Sequence, residues 1–215
     1  MAHRSALAAF DLDGTLHWTE KALLPAIQLA MEELGAEPAP AERINALYGE
    51  PLEEFCSHLL GIGPGEDCLR FRRSIARHQR RTLPDMGRLY PGVPGLLEEL
   101  RGDRFAMAII SNAGEEYIRL VLKSLGIASG FTALLGADTG LSKGTRLENL
   151  LASGSWRAAV MVGDRYHDLE AAAQCGVPSI GCRYGYGSEA EMDVADAAVD
   201  SVYEIRRAMV ELEVL

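Results

Sequence analysis

The stretch ALAAFDLDGTLHW, residues 6–18, runs from an apolar segment straight into two carboxylates, Asp11 and Asp13, and then a glycine. The apolar run is too short for a helix and lacks the polar alternation of a half-exposed strand. That pattern suits a strand covered on both faces of a parallel sheet. Two further runs match it, FAMAII (105–110) and AAVMV (158–162), and each leads directly to polar groups. Between them GEEYIRLVLKSLG (114–126) sets Ile118, Val121, Leu122 and Leu125 on one helical face, and TRLENLLA (145–152) follows. Strand and helix alternate, so the expected architecture is an α/β fold, a doubly wound parallel sheet. ALLG (133–136), SIGC (179–182) and AAV (197–199) fit weaker strands, and 201–213 a closing helix.

From 19 to 83 the pattern changes to helical periodicity with no convincing strand. Ile27, Ala30, Met31 and Leu34 line one face before a stop at Gly35, and PLEEFCSHLLG (51–61) and EDCLRFRRSIARHQRRTL (66–83) fit further helices. Gly- and Pro-bearing turns separate them, and YPGVPG (90–95) marks the return to the main unit. The expected division is therefore a core formed by 1–18 and 84–215 with a helical insertion at 19–83.

The chain has 215 residues, enough for one catalytic-sized domain and a modest insertion. Its net charge of −10 repels nucleic acid and anionic membranes, so neither is an expected partner. No apolar run approaches a membrane span, and Asp11 interrupts the N-terminal run too early for a signal peptide, which points to a cytoplasmic protein. Cys56, Cys68, Cys175 and Cys182 form no Cys-x-x-Cys pair and are expected to be small buried or half-buried thiols in a reducing compartment. Oligomeric state has no signature in the sequence.

Side chains at i and i+2 of a strand point the same way, so Asp11 and Asp13 converge if the extended conformation persists. Two anions that close need a cation or a shared proton. One Asp-x-Asp by itself is ordinary turn and cap chemistry. Here, however, AMAIISN delivers Ser111 and Asn112 at a second strand end, and AVMVGDRYHD delivers Asp164 at a third with Asp168 one helical turn on. Ligands of open α/β sheets bind at such carboxyl ends. Lys143, in GLSKGTRLENL, is expected in a loop before a helix.

In order, DLDGT, IISN, Lys143 and GDRYHD resemble the four motifs of the haloacid dehalogenase-like superfamily of phosphatases, over roughly residues 6–187. The resemblance implies a Rossmann-like core with the insertion as a cap. It also implies that Asp11 is the nucleophile forming an aspartyl-phosphate and Asp13 the general acid and base. Mg²⁺ would be held by the Asp11 carboxylate, the Asp13 backbone carbonyl and Asp164, with Asp168 supporting them directly behind or through water. All-oxygen ligation suits that hard cation. Ser111, Asn112 and Lys143 would hold the phosphoryl group. Within the insertion YGEPLEE resembles the cap loop of phosphoglycolate phosphatase-like members, and RYGYG (183–187) a segment such members carry after motif four. This makes Tyr48 and Gly49, with Thr15, expected substrate contacts; for Tyr184 and Tyr186 loop packing and substrate contact weigh equally.

The implied activity is a Mg²⁺-dependent phosphatase of a small, phosphoglycolate-like metabolite ester. A phosphomutase acting on a sugar phosphate is the alternative with the same cap and Asp pair, and a signalling module that retains its phospho-aspartate is a third. A dehalogenase has no evident task for Asp13. Two departures stand out: HWT follows DLDGTL where an acidic-then-serine pair is usual, and Gly144 follows Lys143 where proline is common. Six arginines lie between 66 and 81; a solvated helix face is the simpler expectation for them, a contact with a second substrate anion the sharper one. His17 and His167 have no partner visible in the sequence and are expected to be loop histidines rather than catalysts or ligands.

Overall fold

The computed structural model describes residues 5–215; residues 1–4 of the expected N-terminal core segment lie outside the described residues. Six strands are present: β1 (Leu7–Phe10), β2 (Ala106–Ile110), β3 (Ala133–Leu135), β4 (Ala159–Gly163), β5 (Ser179–Cys182) and β6 (Ala197–Val199). They form one all-parallel sheet in the order β3-β2-β1-β4-β5-β6. The three runs singled out in the sequence are the three adjacent central strands. Every residue of β1 and β4 is buried, as parallel strands covered on both faces require.

Among the described residues ten α-helices accompany the sheet: α1 (Glu20–Glu33), α2 (Ala41–Asn45), α3 (Leu52–Leu60), α4 (Glu66–Met86), α5 (Val93–Gly102), α6 (Glu115–Ser124), α7 (Lys143–Ala152), α8 (Tyr166–Cys175), α9 (Glu189–Met192) and α10 (Val202–Glu211). Strand side chains alternate between two faces with period two. Ala8 and Phe10 pack with Leu96 and Leu97 of α5, Ile118 of α6 and Ile205 of α10, whereas Ala9 packs with Leu147 of α7 and Ala171 of α8. The sheet is therefore covered on both sides.

Helices α1 to α4 enclose a separate apolar cluster that includes Ile27, Ile44, Phe55 and Phe71. α4 continues through Pro84 to Met86, past the expected boundary at 83. The segment leaves and re-enters the sheet unit side by side: Trp18 N–H donates to the Arg88 carbonyl (2.9 Å) and Tyr90 N–H to the Leu16 carbonyl (3.0 Å). The arginines of α4 are largely accounted for at the surface, Arg70 with Asp67, Arg73 with Glu66 and Arg77 with Glu33, while Arg72 and Arg80 reach Asp138 and Glu116 outside the insertion.

The cysteines correct the sequence reading. Cys56 of α3 and Cys68 of α4 are joined as a disulfide, with Cα atoms 5.9 Å apart, and only Cys175 and Cys182 are free thiols. Their separation of twelve residues carries no motif, and the pairing arises because a helix-turn-helix folds them face to face. No helix among the described residues is long and apolar enough to cross a membrane.

Candidate active site

Asp11, Ser111 and Asp164 each follow the last residues of β1, β2 and β4, so the parallel register of adjacent strands sets them side by side. The backbone is held there as well: Asp11 N–H donates to the Val162 carbonyl (2.8 Å) and Ser111 N–H to the Leu135 carbonyl (3.1 Å). Gly14 turns the chain away from the sheet at φ +87°, and a Cβ there would collide with the Asp164 carboxylate.

Lys143 is not in a loop. It is the first residue of α7, whose N-terminus Ser142 caps by accepting from Thr145 N–H (3.1 Å). From that anchored position its ammonium donates to Asp11 Oδ1 and to Asp168 Oδ1, both at 2.6 Å. A Cβ on Gly144 would meet only the carboxamide of Gln174 in α8, the movable end of an exposed side chain.

Asp11, Asp164 and Asp168 are buried, with carboxylate oxygens within 4.8 Å of one another. Three carboxylates face one ammonium, a formal sum of −3 + 1 = −2. Burial raises the Asp11 pKa to about 7; Lys143 opposes the rise, and the Asp168 and Asp13 charges add to it. Asp164 is likewise pushed well above the ordinary carboxylate range by burial and by Asp11 and Asp168. Burial disfavours the Lys143 charge, but Asp11 and Asp168 outweigh it and raise its pKa above the usual lysine value. The donor set, all hard oxygen and negative in sum, fits a divalent cation such as Mg²⁺.

Asp13 faces different company. Its Oδ1 accepts from the Tyr117 hydroxyl (2.6 Å) and from Thr19 Oγ1 (2.8 Å), and His17 Nδ1 lies 3.1 Å away. His17 lies in the connection between β1 and α1 as expected, fully buried and partnered, whereas His167 is in the first turn of α8 and not in a loop. Two residues of the unusual HWT stretch thus anchor Asp13. His167, in turn, lies 3.6 Å from Glu50 and against the Tyr166 ring.

The remaining expected residues are distributed unevenly. Ser111 Oγ accepts from Ala113 N–H (3.1 Å) and lines the cavity beside Asp11, Asp13 and Lys143. Asn112 also lines it, but its amide is engaged elsewhere: Nδ2 donates to the Gly49 carbonyl and Oδ1 accepts from Arg146, each at 3.0 Å. Thr15 is fully buried and donates to Asp164 Oδ1 (3.3 Å), while Tyr48 and Gly49 lie on the cavity wall.

Four residues at the site carried no decisive sequence signal. Arg146 is buried and donates to the carbonyls of Ser111 (2.6 Å) and Leu135 (2.8 Å), fixing the end of β2. Arg165 ties the YGEP loop to the sheet unit through the Tyr48 carbonyl and Glu50 Oε1 (2.6 Å), and Glu191 Oε2 accepts from its Nε. Tyr184 donates to the Thr15 carbonyl (2.9 Å), and Tyr186 gives its N–H to Asp164 Oδ2 (2.7 Å) while its hydroxyl accepts from Glu20 N–H (2.9 Å). Both tyrosines therefore brace the motifs, and Tyr186 meets Tyr48 edge-on.

The chain is similar to known proteins along nearly its whole length. The chain is 27% identical to the phosphoglycolate phosphatase of Agrobacterium fabrum, over 96% of this chain and 93% of that one. It is 29% identical to the tyrosine-protein kinase PtkA of Mycobacterium tuberculosis, over 94% of this chain and 72% of that protein. A haloacid dehalogenase-like hydrolase from Streptococcus pneumoniae has the same fold, with a TM-score of 0.83 at 21% identity over 97% of this chain and all of that one. The family model for haloacid dehalogenase-like hydrolases matches residues 8–182, and the chain belongs to that family.

Proposed function

We propose that the protein is a Mg²⁺-dependent phosphatase of small phosphate monoesters that works through an aspartyl-phosphate on Asp11. The observation that carries this reading is the Lys143 ammonium bridging Asp11, at the end of β1, and Asp168, in the first turn of α8, with Asp164 at the end of the adjacent β4 beside them. The homologous phosphatases support the same class of reaction.

In the first half-reaction an Asp11 oxygen forms a bond to phosphorus as the ester P–O bond breaks, and Asp13 gives its proton to the departing alcohol oxygen. In the second, water attacks phosphorus and yields its proton to Asp13, the bond to Asp11 breaks, and inorganic phosphate leaves. Tyr117, Thr19 and His17 all meet Oδ1 of Asp13, so Oδ2 is the oxygen left to carry the proton. Ser111 Oγ and the Lys143 ammonium face the phosphoryl oxygens and offset their charge. Asp11, Asp164 and the Asp13 carbonyl would hold Mg²⁺, which when bound supplies neutralising positive charge and polarises the phosphoryl group. Asp168, with one oxygen on Lys143 and the other accepting from Arg165 N–H (3.1 Å), acts by positioning the lysine. Asn112 holds the Gly49 loop, and helices α1 to α4 serve as the cap that closes the site from above.

The test is phosphate release from ethyl phosphate with Mg²⁺ or with EDTA, for the wild type and Asp11→Asn. Release that needs both Mg²⁺ and Asp11 supports the reading, and undiminished release by Asp11→Asn or in EDTA refutes it. Isomerised sugar phosphate without free phosphate, from a hexose 1-phosphate, would instead identify a mutase.

A further inference from the structure

The space above Asp11 is a cavity of about 630 Å³ between the sheet unit and helices α1 to α4. That volume lies in the range that encloses a drug-sized molecule, far more than a two-carbon acid occupies. Asp11, Asp13, Ser111 and Lys143 form its floor, and further polar side chains, Arg72 and Gln79 of α4 among them, line its sides. The helical side contributes an apolar patch, Leu23 and Ile27 of α1, Leu47, Phe55 of α3 and Ile75 of α4, with Tyr48 beside them.

Charge on the wall is equally selective. Each cationic side chain lining the cavity already faces a partner. Lys143 is held by Asp11 and Asp168, Arg146 by the Ser111 and Leu135 carbonyls, and Arg72 by Asp138 at 3.5 Å; His167 faces Glu50. Beyond the floor the same wall carries Glu53 and Glu170, outside any ion pair among the described residues, and Glu50 and Asp138 paired with Arg165 and Arg72. A second anionic group on the substrate would meet carboxylates and no cation whose donors are free to turn to it, since those of Arg146 are spent on the Ser111 and Leu135 carbonyls and Asn112; this disfavours its desolvation.

We infer that the leaving group is an uncharged, ring-sized apolar alcohol, and that substrates with a second anion, phosphoglycolate included, are discriminated against. This specificity rests on the phosphatase reading above. Leu23, Ile27 and Ile75 bury the ring, and the excess of wall carboxylates rejects short phosphorylated acids.

Three esters of primary alcohols test it: phenethyl phosphate, ethyl phosphate and phosphoglycolate, so that leaving-group chemistry stays nearly constant. Burial of the ring is expected to raise kcat/KM for phenethyl phosphate at least about tenfold over ethyl phosphate. Phosphoglycolate is expected to be the slowest of the three. Ile75→Asn is expected to lower the phenethyl-to-ethyl ratio at least about threefold, and Ile75→Arg to raise the phosphoglycolate-to-ethyl ratio, by changing one wall contact and one wall charge. Ratios within one preparation do not depend on how much of a variant folds. Equal rates for phenethyl and ethyl phosphate, phosphoglycolate as the fastest substrate, or ratios unmoved by both variants would overturn the inference while leaving the phosphatase reading intact. Release from none of the esters would overturn both.

Discussion

Asp11→Asn keeps the shape of the side chain and removes its charge, so it separates what Asp11 does for catalysis from what it does to the fold. In the folded protein without metal its pKa is raised from 3.8 to about 7. Because the folded state holds the proton more tightly, its contribution is fully present below pH 4 and is lost as the pH rises through about 7. At about 1.4 kcal/mol per unit the shift corresponds to an upper value of about 4 kcal/mol at pH 8. The shift is already net of the Lys143 contact, and relaxation and water entry around a buried charge reduce the part that the substitution recovers. In EDTA at pH 8 Asp11→Asn is therefore expected to be about 2 kcal/mol more stable than the wild type, about 4–8 °C in Tm for a chain of this size. At pH 4 the two should melt together. Mg²⁺ should raise the wild-type Tm and move the variant far less, and the variant should release no phosphate. Thermal melts across pH 4–8, with and without Mg²⁺, measure all of this. A variant that melts below the wild type at pH 8 in EDTA would show that Asp11 is not under electrostatic strain and would refute the reasoning.

Lys143→Met leaves Asp11 and Asp168 buried against each other without their shared cation; a loss of about 3–5 kcal/mol is expected in denaturant unfolding, together with a fall in kcat of a hundredfold or more. Arg165→Gln removes the ties to the Tyr48 carbonyl and Glu50, and is expected to cost about 2–3 kcal/mol and to speed limited proteolysis within residues 47–51. An unchanged digestion pattern would show that the loop is held by other contacts. Reduction of Cys56–Cys68, which closes a loop twelve residues long, should lower stability by about 3 kcal/mol. Four thiols titrating in the untreated native protein would refute the pairing.

The central sheet was legible because β1, β2 and β4 are buried on both faces and must be apolar throughout, a demand that few other elements share. Their carboxyl ends were legible for the same reason, since polar residues begin where the covering layers end. α5 was not: Pro94 and Gly95 in its first turn read as punctuation, although proline at the start of a helix loses no hydrogen bond. Lys143 was placed in a loop because its helix begins on the residue after Ser142, without an apolar residue to announce it. Arg146, Arg165 and Tyr186 act on partners 35, 115 and 22 residues away in the chain, and local spacing holds no trace of such contacts. The partners of His17, Asp13 and Tyr117, are invisible in the sequence because they converge on it only after the chain turns at Gly14.

The paired entry and exit of the helical insertion has a consequence for how this architecture tolerates change. Trp18 and Arg88, and Leu16 and Tyr90, are already joined across one antiparallel rung, with Leu89 bridged to His17. Neighbouring strands lie about 5 Å apart, so whatever is spliced between these two stems leaves the spacing of β1 and β2 undisturbed. The rung works as a socket: the length and character of the insert can be exchanged, and with them the choice of molecule admitted, while the bond-breaking groups below stay in register.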